Sequence, residues 1–425
     1  MQEEATAARR GESAADPAPG AAFLATLVGL CFIMNTIARG ATETFAVFLL
    51  PVEQAFGTSR SETTLTYAIY MLVHGFAAPF AGQLIDRLGA RITYGLGLSL
   101  MGLGYYLAGM TTSILQYYAA AGVMPGLGAS CLGMVVATSL MSRWFSKRLG
   151  SMMALPYAAV GAGVLVIPLV TQMLLQSVSW GEAHRYLGVG ILSLLPLVVV
   201  LPLGRMTQGA PEWRAQRQAA AARGAPLWPL SRAVRTGAFW AMFGVYFWTS
   251  VAAYAVLPQS VAFLVEQGFD RVWAASAFGM TGALSVVGIL AIGWISDRIG
   301  KLGAVTLSYI SSLTGILSLV AIFWRPEMVL VYTFVVFFGL MQGARGPIIA
   351  AVVATIFRGG AVGAIFGTLS LAMGLGAALG SWGSGLLHDL TGNYLVSFAM
   401  AAAASFAGLL TYWSSPSLRN EQRHG

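Results

Sequence analysis

Apolar residues occur along this chain in long blocks, with polar residues gathered in short stretches between them. Twelve blocks are long enough to cross the roughly 30 Å hydrocarbon core of a bilayer as helices. They lie near 22–50, 63–84, 92–111, 114–141, 150–176, 186–203, 238–264, 273–294, 303–324, 328–357, 361–387 and 394–415. Each predicts a helix, because lipid offers the backbone no hydrogen-bond partner and the segment must satisfy its own groups. The longest polar break, about 206–236, is rich in Ala, Arg and Pro and divides the spans six and six. The pattern predicts an all-α membrane protein: a disordered tail at 1–20, a six-helix bundle at 21–205, a linker at 206–236, a second six-helix bundle at 237–415 and a short tail at 416–425.

The two halves repeat each other. VEQAF at Val52–Phe56 returns as VEQGF at Val265–Phe269. GQLIDRLG at Gly82–Gly89 returns as GWISDRIG at Gly293–Gly300. GVMPGLGASCLGMVVAT from Gly122 is echoed by GLMQGARGPIIAAVVAT from Gly339. These pairs are 213, 211 and 217 residues apart. Six spans followed by six in the same orientation make a parallel repeat about an axis along the membrane normal. Such a pair of bundles encloses a site near the midplane. The last alignment sets Arg345 opposite Gly128.

Composition sharpens this picture. Charged residues are 9% of the chain, against roughly 25% in soluble domains. The net charge of +8 would suit nucleic acid, but its distribution excludes that reading. With a cytoplasmic N-terminus, 18 Lys and Arg residues fall on the inner side and only Arg60, Arg185, Arg271 and Arg325 on the outer. This is the positive-inside pattern, and it sets both termini in the cytoplasm. The first twenty residues lack a signal-peptide core, and no glycosylation sequon is present. A plasma membrane, bacterial inner membrane by preference, is the expected location. Cys31 and Cys131 lie in apolar spans and read as small hydrophobes. No metal-ligand spacing, cofactor motif or nucleophile–base pair appears, so no enzyme is expected.

Three charges lie within the spans: Arg39, Glu43 and Arg345. An intramembrane charge is costly and needs a partner, a wet cavity or a ligand. Asn35, Arg39 and Glu43 follow one another at four-residue spacing and share one helix face. Gln342 lies about one turn before Arg345. The span ends put both arginines close to the midplane. One reading is an internal Arg39–Glu43 pair with Arg345 held by carbonyls. The other is an anion site, since the planar arginine fork matches a carboxylate. Glu43, the sole intramembrane acid, is a candidate proton carrier, and His74 is a second. Tyr246, Ser250 and Tyr254 form a stripe on span 7, and Tyr67, Tyr70 and His74 form one on span 2. Both stripes suit packing as well as a cavity wall. His388 and Asp389 read as a cap on span 11.

The stretch GQLIDRLGAR at Gly82–Arg91, repeated as GWISDRIGK, resembles the signature of the major facilitator superfamily. That resemblance covers nearly the whole chain. It implies the major facilitator fold, with a cytoplasmic gate at Asp86, Arg87, Asp297 and Arg298. Within the superfamily, ETFAVFLLPVEQAFGTSRSETT at 43–64 and RWFSKRLGSMMALPYAAVGAG at 143–163 resemble the monocarboxylate porters and oxalate/formate exchangers. The group implies a monomeric transporter of a small mono- or dicarboxylate coupled to protons. On this reading Arg345, Arg39, Gln342, Asn35, Tyr254, Ser250, Tyr67 and Tyr70 bind substrate, and Glu43 and His74 handle protons. Two features depart from the animal carriers: Ser285 and Ile289 stand where those have an Asp and an Arg, and Glu43 stands near the position where they have a lysine. Drug efflux is the alternative transport reading, although PYAAVGAGVLVIP lacks the drug antiporters' Gly-Pro element. A membrane sensor is the non-transport alternative, but no loop is large enough for a signalling domain.

Overall fold

The structure is a computed structural model and describes residues 20–145, 149–215, 230–346, 349, 356–357, 362–416 and 418. Most of the expected tails and the centre of the expected linker, 216–229, lie outside the described residues. The described chain is helical throughout, as the apolar blocks require. Span 1 is α1 (Ala21–Glu43) and α2 (Phe45–Phe56). Spans 2 and 3 are one element, α3 (Arg60–Ala108). Span 4 is α4 (Ile114–Tyr117), a π-helical turn at Tyr118–Val123, α5 (Met124–Leu132) and α6 (Met134–Trp144). Span 5 is α7 (Leu149–Leu174). Span 6 is α8 (Trp180–Leu192) with α9 (Leu195–Val200), and α10 (Leu203–Gln208) starts the linker.

The second half repeats the plan. Span 7 is α11 (Gly237–Glu266), and α12 (Arg271–Ile322) holds spans 8 and 9. Span 10 begins as α13 (Met328–Met341), span 11 is α14 (Val362–Thr391) and span 12 is α15 (Leu395–Ser414). Among the described residues, nine helical stretches are long and apolar enough to cross a membrane. One of them, α3, holds two spans, and α13 and α14 complete the expected twelve.

The repeated motif explains why α3 and α12 each hold two spans. Gly89 (φ 81°, ψ 174°) and Gly300 (φ 78°, ψ 162°) reverse the chain inside otherwise helical runs. Positive φ is cheap only for glycine, so the last residue of each Gly-x-x-x-Asp-Arg-x-Gly is set by the backbone. The far ends start on side-chain caps. The Ser59 hydroxyl accepts from Glu62 N–H, and Asp270 accepts from Trp273 N–H. Each cap satisfies a helix-end donor that has no partner within its own helix.

The halves meet along two seams, span 2 against span 11 and span 5 against span 8. Glycine makes both possible. A Cβ on Gly75 would stand 3.2 Å from the Cα of Gly374, and one on Gly161 only 2.4 Å from the Gly282 carbonyl. The small-x-x-x-small pair Gly376/Gly380 likewise lies on the Phe247 and Val251 carbonyls of span 7. Close backbone approach of this kind drives helix association in lipid, where apolar burial alone does not.

The equivalence of Arg345 and Gly128 does not hold in space. Gly126 lies against the Tyr70 carbonyl on span 2, and Gly339 lies against Thr281 on span 8. Those two glycines are therefore counterparts, and Arg345, six residues after Gly339, matches the neighbourhood of Leu132 and Gly133. The asymmetry itself remains, because the first half has no charge there.

Within the first half, Gly163 on α7 crosses Gly40 on α1: a Cβ on Gly163 would be 2.4 Å from the Thr36 carbonyl and 2.9 Å from Gly40 N. Gly163→Ala is expected to lower the thermal stability of the detergent-solubilised protein, by about 1–3 kcal/mol as in other overpacked cores. Gly190→Ala, with nothing within 4 Å of the new methyl, should leave the melting temperature unchanged or raise it. Equal effects at both positions would show that the α1–α7 crossing does not limit stability.

Candidate functional site

A cavity of about 330 Å³ lies between the halves. Its lining runs from the middle of the spans towards the near end, the end at which the chain enters at Ala21. It includes residues 35–42 of α1 but none of α2, 246–257 of α11, and 338–349 on and beyond α13. Both arginines of interest reach it.

Arg345 enters from a broken helix. The α13 segment stops at Met341, Gly343 takes φ +81°, and Arg345 follows the turn. Span 10 was expected as one unbroken helix over 328–357; the glycine at positive φ interrupts it beside the cavity. The Arg345 side chain is buried. Its Nη2 donates to the Ser312 hydroxyl, and its guanidinium lies over the Tyr309 ring at 4.3 Å. The Tyr309 hydroxyl is itself held by Thr249, at 2.7 Å. Arg345 Nε has no partner in the protein, and no carboxylate pairs with this arginine among the described residues. Gln342 lines the same wall, and its Oε1 is also buried without a partner.

Arg39 is differently placed. Its Nη2 is 2.7 Å from Glu43 Oε1, the i, i+4 pair expected from the helix face. Its Nη1 donates to the Tyr254 hydroxyl at 3.0 Å, across the boundary between the halves. Glu43 is 1% exposed and sits behind Arg39, outside the cavity lining. Its Oε1 also accepts from Tyr67, at 3.1 Å, while Oε2 has no partner. Tyr67 thus serves Glu43 and does not line the central cavity. Asn35 lines it and donates to the Cys31 carbonyl at 2.8 Å. Tyr70, which receives the Thr42 hydroxyl, lines it together with His74, and the two rings lie parallel within 8°. The span 7 stripe of Tyr246, Ser250 and Tyr254 faces the cavity along its length.

Six buried polar atoms without a partner among the described residues belong to this one region: Arg39 Nε, Glu43 Oε2, His74 Nδ1, Gln342 Oε1, Arg345 Nε and Ser405 Oγ. Buried polar atoms are nearly always paired. Their concentration here makes this region the candidate binding site. Sequence reasoning missed Tyr309, Ser312 and Thr249. The hydroxyl-rich run Ser308–Ser312 in an otherwise apolar span was the available signal.

Among the described side chains, Asp86, Arg87 and Arg298 make no bridge between the halves. Asp86 pairs with Arg143 of the same half. Arg143 also donates to the Thr207 carbonyl at 2.7 Å and lies over the Trp213 ring, so the cluster fastens the start of the linker. Arg87 is exposed. Arg298 lies over the Trp294 ring at 3.7 Å. The side chain of Asp297 lies outside the described residues. At the far end the tie between halves is one that sequence reasoning did not find. Arg60, read as a loop charge, is 3% exposed and binds Glu53, Glu266 and Tyr394. Asp389 does not cap its own span but accepts from the N–H groups of Arg60 and Ser61, capping span 2. The halves are therefore tied at the far end by the Arg60 cluster, beside a second cavity of about 510 Å³ lined by both halves, and part around the central cavity.

Comparison with known proteins agrees with this architecture. The chain is 26% identical over 378 residues to monocarboxylate transporter 13 of Rattus norvegicus, covering 89% of this chain and 85% of that one. It is 26% identical over 374 residues to the uncharacterized MFS-type transporter YcxA of Bacillus subtilis, covering 86% and 88%. Among solved structures, the xylose transporter XylE of E. coli in a partially occluded inward open conformation superposes with a TM-score of 0.72 at 12% identity, over 93% of this chain and 98% of that one. A bacterial homolog of the human lysosomal transporter Spinster, inward-facing and occupied, gives 0.70 at 13% identity, over 92% and 94%. Residues 28–344 match the Major Facilitator Superfamily, and the chain, a multi-pass all-α membrane transporter and not an enzyme, belongs to that family.

Proposed function

We propose that this transporter moves a small organic anion, a mono- or dicarboxylate, in exchange with or together with protons. The observation that carries the reading is Arg345: a buried guanidinium on the cavity wall, held by a hydroxyl and an aromatic face, with no carboxylate partner among the described residues. Ser312 and Tyr309 orient it without neutralising it. A carboxylate or similar anion supplies the missing charge and can use the free Nε. The cavity volume is at the low end for ligand pockets, which favours a small substrate. Relatives named as monocarboxylate transporters support the class.

Arg39 supplies the coupling. In the conformation described it is shared between Glu43 and Tyr254. Protonating Glu43 removes its counter-charge and frees its fork for the substrate. Losing the proton returns Arg39 to Glu43 and expels the anion. Because Tyr254 belongs to the other half, the state of Arg39 is also felt across the boundary. The near end, in this reading, is cytoplasmic, and the cavity faces the cytoplasm of a plasma membrane.

Purified protein screened by thermal shift should be stabilised by one or more small carboxylates, by about 2.7 kcal/mol at a hundredfold excess over the dissociation constant. Arg345→Ala should lose that stabilisation; stabilisation by cationic drugs alone would overturn the anion reading. In proteoliposomes, Glu43→Gln should lose pH-driven accumulation and retain substrate exchange, and accumulation as in the parent would remove Glu43 from the coupling scheme. Stability separates the two partners. Arg39→Gln leaves the carboxylate of Glu43 buried and should cost more than Glu43→Gln, approaching the roughly 3 kcal/mol of a broken buried pair; the double variant should recover part of the loss.

A further inference from the structure

We propose that His388 is a proton-binding site whose protonation releases the far-end latch between the two halves. The latch centres on Arg60. Its Nε is 2.6 Å from Glu53 and its Nη2 is 2.7 Å from Glu266. These are the equivalent glutamates of the repeated Val-Glu-Gln-x-Phe motif, so one guanidinium from the first half receives the same residue from both. Gln259 and Tyr394 also accept from it. Beside it, Asp389 holds the start of α3 through Arg60 N–H at 2.9 Å and Ser61 N–H at 2.8 Å. Glu266 and Asp389 are thus the two carboxylates by which the second half grips the first.

His388 stands between those two carboxylates. Its Nε2 is 3.8 Å from Glu266 Oε2, and its Nδ1 is 4.0 Å from Asp389 Oδ1. Nδ1 is buried and has no hydrogen-bond partner. The ring lies 4.5 Å from that of Tyr394 on the approach to α15. The charged and titratable groups around it are Glu266 from α11, Asp389 from its own helix and Tyr394, with Arg60 and Glu53 of the first half reaching it through Glu266. A neutral imidazole has one N–H and one lone pair, so one nitrogen faces a carboxylate without a proton. The imidazolium has an N–H for each.

The sign follows from what moves. Glu266, Asp389 and His388 all belong to the second half, whereas Arg60, Glu53 and the start of α3 belong to the first. With the latch closed, both carboxylates are engaged by the first half: Arg60, shared with Glu53, holds Glu266, and the Arg60 and Ser61 N–H groups hold Asp389. With the latch open, Arg60 and Glu53 leave together and both carboxylates are free for the imidazolium. Protonation therefore favours the open far end. This device acts at a distance from Glu43 and does not depend on the identity of the anion.

The test is the distance between spin labels on Leu115→Cys and Val329→Cys, exposed positions at the far ends of spans 4 and 10, in the full chain with Cys31 and Cys131 replaced by alanine, in nanodiscs and without substrate. Lowering the pH from about 8 to about 5.5 should raise the ratio of long to short distances by roughly fivefold, the upper range for one partly exposed ion pair. The shift should vanish in His388→Gln, which stays closed, and persist in Glu43→Gln; Arg60→Gln should be open at both pH values. A parent that does not respond, one that closes in acid, or a full response in His388→Gln overturns the proposal. His388→Asn serves if the glutamine variant does not fold, and the parent titration decides by itself if neither does. A positive result with no carboxylate binding would leave the latch standing and remove the anion reading alone.

Discussion

A guanidinium held out of water inside a bilayer must be compensated locally, and the architecture around Arg345 is organised by that requirement. The charge cannot neutralise itself, since arginine keeps its proton. Its span therefore breaks at Gly343, the side chain turns into the cavity between the halves, and span 9 presents an aromatic face and a hydroxyl beneath it. Tyr309 is in turn fixed by Thr249 of span 7. Three spans are thereby tied around one charge, without a counter-ion among the described residues.

The first half meets the same requirement in another way. Arg39 has its carboxylate one turn along, and that carboxylate is closed off from the cavity by Arg39 itself and by Tyr67. One arginine is internally compensated and the other is not. The central region thus has a positive excess of one charge when Glu43 is ionised. The Arg39–Tyr254 bond and the Arg60 cluster tie the halves at two levels, the middle and the far end. Both ties are polar, built from charged and hydroxyl-bearing side chains.

Most of the fold was legible in the sequence, because bilayer thickness and backbone hydrogen bonding leave few alternatives to twelve helices. The repeat was legible because positive φ at Gly89 and Gly300 demands the same residue in the same motif. Arg39, Glu43 and Arg345 stood out as charges in apolar runs, and i, i+4 spacing was enough to pair the first two. The rest depended on tertiary closure. Ser312 and Tyr309 resemble many hydroxyl-bearing residues that bond their own helix backbone. Arg60 sits directly after a capping serine, in what reads as a solvated turn, and only the arrival of spans 7, 11 and 12 buries it. Asp389 looked like the end of its own helix and instead caps another. The pairing of Arg345 with Gly128 failed because glycine-rich segments align in more than one register; the contacts of Gly126 and Gly339 select a different one.

The glycine seams have a consequence for kinetics. Where Gly75 meets Gly374, backbone passes backbone, and where Gly161 meets Gly282 only Val164 and Val286 reach into the seam. Sliding there crosses little side-chain packing. The resistance to switching is then concentrated in the charged ties and is little distributed along the interface. A carrier arranged in this way would be smooth mechanically and stiff electrically, with two small charged clusters, more than friction between helices, setting the resistance to switching.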